Sequence, residues 1–195
     1  MERPRVTVSR RLPTAVEDRL QRQFDAVLNP SDVPLSGGAL VEALESSDAL
    51  ISTLGDPISA ELLSRCRPRA TLIAHFGVGY DNIDIRAARE RGIPVVNVPD
   101  YGTEEVADSA LGLALSLARG SHFLNSRLRR GVGAWNVDQA RPVQRLRGRV
   151  FGIVGCGRIG SAAALRAKAF GFDVVIYDPH IPDGVDKALG VRRVD

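Results

Sequence analysis

Cysteine, aromatic residues, lysine and long apolar runs are all scarce in this chain, and each shortage removes a class of protein. The two cysteines, Cys66 and Cys156, make neither a disulfide framework nor a metal site, and Cys156 lies within a glycine turn where a bridge would obstruct a ligand. No metal is expected. Aromatic residues are 5% of the chain, too few for the stacking platforms of a nucleic-acid binder, and the formal net charge of +3 is small. The basic residues are mostly scattered arginines, four of them between Arg141 and Arg149, and no nucleic-acid partner is expected. No stretch approaches the ~20 apolar residues that span a bilayer, and Met1 to Arg5 is not followed by the apolar core of a signal peptide. The expected location is cytoplasmic, with no membrane partner.

What is present is an alternation. Short β-branched runs at Arg5–Val8, Ala26–Leu28, Ala49–Ile51, Thr71–Ala74 and Pro94–Val98 alternate with amphipathic stretches at 14–24, 38–44, 59–66 and 85–91. Strands alternating with helices predict an α/β fold with a parallel sheet. Turn residues fall between the runs, as in Asn29-Pro30-Ser31-Asp32 and Gly55-Asp56-Pro57, and Ser59 is placed to cap the helix that follows it. After Pro99 the texture changes to one long apolar helix, Thr103 to Ala118, with Thr103 as the expected N-cap and acidic Glu104 and Glu105 near its positive end. Apolar residues run most of the way round it, which predicts burial on several sides. The polar stretch from Gly120 to Arg147, with Trp135, reads as a lid, a linker or a subunit-contact arm.

The run Val150-Phe-Gly-Ile-Val-Gly-Cys-Gly-Arg-Ile-Gly160 carries the most chemistry. An apolar strand flows into Gly155-x-Gly157-x-x-Gly160, then a helix from Ile159 to Phe170, a stop at Gly171 and a second strand, Asp173–Tyr177, ending at Asp178. Gly155 would allow the tight turn, Gly157 the approach of a pyrophosphate to the backbone, and Gly160 close packing of helix on strand. Asp178 can accept hydrogen bonds from a ribose 2′-hydroxyl and would repel a 2′-phosphate, so the cofactor predicted is NAD rather than NADP.

With these pieces in order the chain resembles the D-isomer-specific 2-hydroxyacid dehydrogenases, most closely the branch containing the C-terminal binding proteins. The blocks that carry the likeness are Gly77-Val-Gly-Tyr-Asp-Asn-Ile-Asp84, Gly92-Ile-Pro-Val-Val-Asn-Val-Pro99, Thr103-Glu-Glu-Val-Ala-Asp108 and Leu146-Arg-Gly-Arg-Val-Phe-Gly-Ile-Val-Gly155. Arg166 to Phe172 and Tyr177 to Gly190 point to the branch. The resemblance implies a flavodoxin-like, Rossmann-like parallel-sheet substrate domain at 1–99. A Rossmann NAD-binding domain follows at 100–195, with the long helix and arm at 103–147 and a first β-α-β unit at 148–178. It implies reduction of a small 2-keto acid to a D-2-hydroxy acid with NADH. The long helix and arm are expected to form a two-fold homodimer contact, because a helix so apolar would otherwise expose a large patch on a monomer.

By family position, Val78 and Gly79, in the turn after Phe76, would offer backbone N–H groups to the substrate carboxylate, although an ordinary tight turn would use the same glycines. Val78 would also lie near the nicotinamide. Val106 would line the coenzyme, Arg158 and Ile159 would sit over the pyrophosphate at a helix N-terminus with Gly155, Gly157 and Gly160, and Asp178 would hold the ribose. The family's substrate arginine, its proton-transferring histidine and that histidine's carboxylate are expected beyond residue 195, so the coenzyme fold is expected to be cut short and the chain inactive as it stands. Arg119, His75, His122 and His180 fall in other blocks and are read as surface or packing residues. The alternative reading is a non-catalytic, NAD-binding corepressor-like module.

Overall fold

The structure is a computed structural model that describes residues 2–133, 143 and 145–195. The chain divides into two compact units, Met1–Tyr101 and Gly102–Asp195. The first holds β1 (Arg5–Val8), α1 (Thr14–Gln23), β2 (Asp25–Val27), α2 (Gly37–Ser46), β3 (Ala49–Thr53), α3 (Ala60–Arg65), β4 (Ile73–Phe76), α4 (Ile85–Glu90) and β5 (Val95–Val96). Its strands form one parallel sheet in the order β2-β1-β3-β4-β5. That is the flavodoxin-like order, whose direction reverses between β1 and β3.

Right-handed crossovers put α1 on one face and α2, α3 and α4 on the other, and the core follows that split. Leu40, Ala43 and Leu44 of α2, Leu62 and Leu63 of α3 and Ala88 of α4 bury against Leu50 and Ile73. α1 buries none of its residues. The helix starts are set locally: Ser36, Ser59 and Asp84 each accept a hydrogen bond from an N–H three residues on.

The second unit holds α5 (Thr103–Ala118), α6 (Ser121–Arg129), β6 (Val150–Val154), α7 (Arg158–Ala169), β7 (Asp173–Tyr177), α8 (Val185–Leu189) and β8 (Arg192–Arg193). Its parallel sheet runs β6-β7-β8. A strand pair is what the sequence suggests; α8 and β8 add a third strand. Ala107 and Leu111 of α5 meet a stripe of alanines on α7 (Ala162, Ala163, Ala164, Ala167), whose small side chains let the two helices approach closely. Arg166 of α7 ties the pair by bonding Glu104 and Asp108 of α5.

Two expectations about α5 are corrected. Gly102, not Thr103, occupies the N-cap, and it makes no side-chain cap bond; Thr103 is the first helical residue. Burial on several sides is not met among the described residues, where Ala107 and Leu111 are buried while Leu113 is 66% and Leu117 68% exposed. The helix packs with one face and leaves an apolar face open. Of the arm, α6 forms its first part; Trp135 lies outside the described residues. No helix among the described residues is long and apolar enough to cross a membrane.

Candidate functional site

The nucleotide turn is assembled by the β6–α7 connection. Gly155 sits at φ +91°, a left-handed conformation open to glycine, and its N–H donates to the Tyr177 carbonyl at 2.8 Å. Gly157 is the N-cap of α7, and a Cβ built there would meet nothing within 4 Å, so the backbone is open to a ligand. At Gly160 a Cβ would lie 2.0 Å from the Gly155 carbonyl oxygen, a contact that no side chain survives. The three glycines therefore divide into a conformational one, an open one and a packing one.

Arg158 and Ile159 form the first turn of α7, where backbone N–H groups lack intrahelical acceptors and the helix dipole is positive. Asp178 follows β7 directly and is held by the turn itself: the Cys156 N–H donates to its Oδ2 at 2.7 Å and the His180 N–H to its Oδ1 at 2.8 Å. These two bonds, Cys156 first, hold the carboxyl below the ordinary aspartate range, so it is ionised at neutral pH. Each oxygen keeps a further lone pair for another donor. Burial, with the Asp178 charge adding to it, pushes the Cys156 thiol up, which keeps it protonated and unreactive. Val106 lies on α5 beside the buried Ala107 and is itself exposed. Of the residues expected to line the cofactor, Val106, Gly155, Gly157, Arg158, Ile159, Gly160 and Asp178 fall in the second unit and Val78 falls in the first.

Val78 and Gly79 fall in the first unit, on the loop leaving β4. The Gly77 carbonyl accepts from the Val98 N–H at 3.1 Å, and the Val78 carbonyl from Asn97 Nδ2 at 2.8 Å. Among the described residues the N–H groups of Val78 and Gly79 have no acceptor. With its carbonyls engaged from one side, the turn presents two adjacent free donors, which is what an anion-binding nest requires.

A buried polar layer braces this loop. Asn82 Nδ2 donates to the Thr53 carbonyl at 3.1 Å and the Asp56 carbonyl at 2.7 Å, joining the loop after β4 to the loop after β3. Buried Asp56 accepts from Ser9 Oγ, from the Thr53 N–H at 2.6 Å and from Thr53 Oγ1 at 3.2 Å. His75 is buried on β4 with Nδ1 3.0 Å from Ser52 Oγ. Sequence reading misses Asn82, Asn97 and Arg166, because their partners lie 19 to 62 positions away and no local pattern marks them. The same holds for Asp108, whose carboxylate pairs with Arg166 across the two helices.

Arg119 is the C-cap of α5. His122 Nδ1 is 3.3 Å from the Ser116 carbonyl, on the surface. No group of three or more His, Cys, Asp or Glu side chains that could hold a metal occurs among the described residues.

Comparison with known proteins agrees with this geometry. Residues 6–178 match the family model described as D-isomer specific 2-hydroxyacid dehydrogenase, catalytic domain. A glyoxylate reductase of Korarchaeum cryptofilum is 38% identical over 98% of this chain and 58% of its own length. A solved Thermus thermophilus structure superposes with a TM-score of 0.85 at 35% identity, over 98% of this chain and 60% of that one. The D-lactate dehydrogenase of Aquifex aeolicus, solved with NAD and lactic acid, superposes with a TM-score of 0.78 at 25% identity, over 98% and 56% of the two chains. This chain therefore spans well under two thirds of the length of these relatives.

Proposed function

The chain belongs to the D-isomer-specific 2-hydroxyacid dehydrogenase family, and from that premise we infer that it is the substrate-domain and nucleotide-turn portion of an NAD-dependent oxidoreductase acting on a small 2-hydroxy or 2-keto acid. The observation that carries the inference is the pairing of an open glycine turn with an ionised carboxylate at the end of the next strand. Gly157 leaves room for a pyrophosphate, the first turn of α7 with Arg158 and Ile159 attracts its charge, and Asp178 accepts from the adenosine ribose. Gly155, Gly160 and Val106 shape the same surface. NADH, when bound, supplies the hydride. In the first unit, taken as the substrate domain, the Val78 and Gly79 N–H groups hold and orient the acid's carboxylate.

The named relatives are a glyoxylate reductase and a D-lactate dehydrogenase, which favours the oxidoreductase over a corepressor-like module. A cytoplasmic location accords with the composition. By family position Arg119, His75, His122 and His180 are not the groups that hold the acid or move its proton. Turnover by the chain alone, abolished by His75→Ala or Arg119→Ala, would relocate the chemistry. Nucleotide binding is tested separately, by calorimetric titration of NAD(H) and NADP(H). NAD(H) is expected to bind about tenfold or more tighter, with the preference lost in Asp178→Ala; equal affinities in the unaltered chain would refute the assignment.

A further inference from the structure

Gly77 is a glycine for a reason unlike those in the nucleotide turn. Its φ lies outside the left-handed region, so its backbone conformation is open to any residue. What excludes a side chain is a neighbour: a Cβ at Gly77 would lie 2.6 Å from His75 Nε2, 3.0 Å from His75 Cδ2 and 3.3 Å from Leu54 Cδ2. The imidazole edge is thus packed directly against the first residue of the acid-binding turn.

That imidazole is unusually constrained. His75 is 2% exposed, and its Nδ1 is engaged by the hydroxyl of Ser52, its register partner on β3. Its Nε2 is buried with no hydrogen-bond partner among the described residues, an exception that calls for an explanation, since an aliphatic side chain would fill the space without stranding a polar atom. The Ser52 bond fixes the ring plane, the sheet fixes its base, and its free edge meets Gly77. From the other side the Val98 N–H and Asn97 Nδ2 hold the Gly77 and Val78 carbonyls.

We propose that His75 is a positioning residue: its imidazole, oriented by Ser52, is the stop against which Gly77 rests, and it sets the height at which the Val78 and Gly79 N–H groups meet a 2-keto or 2-hydroxy acid. The proposal rests on the reading of that turn as the carboxylate site. The turn is held by contact rather than by backbone strain. A methyl added at Gly77 must lift it, and removing the ring must let it sink, while both changes together restore the fit.

The test is a double-mutant cycle on the 195-residue chain, with the amide resonances of Val78 and Gly79 followed by NMR during titration with pyruvate. Gly77→Ala and His75→Ala should each weaken pyruvate binding, the former by about tenfold or more. The double variant should bind within about threefold of the unaltered chain, a strongly non-additive result. Ser52→Ala, which frees the ring without removing it, should weaken binding in the same direction. NAD(H) affinity, carried mainly by the glycine turn and Asp178 of the second unit, should change far less than pyruvate affinity, and thermal midpoints are measured alongside. Additive losses in the double variant would overturn the positioning role, as would variants that lower the thermal midpoint while binding pyruvate like the unaltered chain. If the single variants fail to fold, Ser52→Ala decides alone, and unchanged affinity there overturns the proposal. If pyruvate leaves the Val78 and Gly79 amides of the unaltered chain unmoved, the carboxylate site falls and the positioning role falls with it.

Discussion

The glycines of the nucleotide turn answer to different forces, and substitution separates them. Gly160→Ala forces a methyl to within 2.0 Å of a backbone oxygen and should destabilise the second unit by about 1–3 kcal/mol or more, read from urea unfolding. Gly157→Ala meets open space, so its unfolding midpoint should hardly move while NAD(H) affinity falls. Equal stability losses at the two positions would contradict the structure. Asp178 gives a pH signature. Its carboxyl is depressed below its ordinary value of 3.8, so its contribution is fully present above that value and is lost as pH falls through the lower, folded value. Stability measured against pH should therefore show an acid limb below 3.8 that Asp178→Asn flattens, the two proteins converging at the lowest pH.

Among the elements, the contact of α5 on α7 is the one most sensitive to size. Ala164 and Ala167 are fully buried in it, so Ala164→Leu should overpack the interface and cost the second unit about 1–3 kcal/mol, with the first unit's unfolding unaffected. A neutral result by calorimetry would mean that the helices separate without cost. At α3 the Ser59 cap accepts from the Leu62 N–H at 3.1 Å, and Ser59→Ala should remove about 1 kcal/mol. Helix starts marked by a polar side chain, such as Ser59, are legible because the signal and its effect lie within one turn. The start of α5 is not, because Gly102 caps it without a side-chain bond and Thr103 only resembles a cap.

For the whole molecule, the open apolar face of α5 with Leu113 and Leu117 supports a two-fold contact between copies. Sedimentation at tens of micromolar should find a dimer that Leu113→Glu with Leu117→Glu converts to monomer; a monomeric unaltered chain would defeat the idea. The sequence by itself determined the alternation of strands and helices, the bounds of β1 and β7, and the glycine turn between β6 and α7 with Asp178 at the end of β7, since each depends on residues a few positions apart or on one β-α-β unit. Only the tertiary structure decided the strand order, the third strand β8, and the pairing of Arg166 with Glu104 and Asp108. It alone also placed Asn82 and Asn97 around the turn that follows β4 and His75 against Gly77. These features depend on which distant segments the sheet and helices bring to one place, and nothing in the local periodicity of a chain encodes that choice.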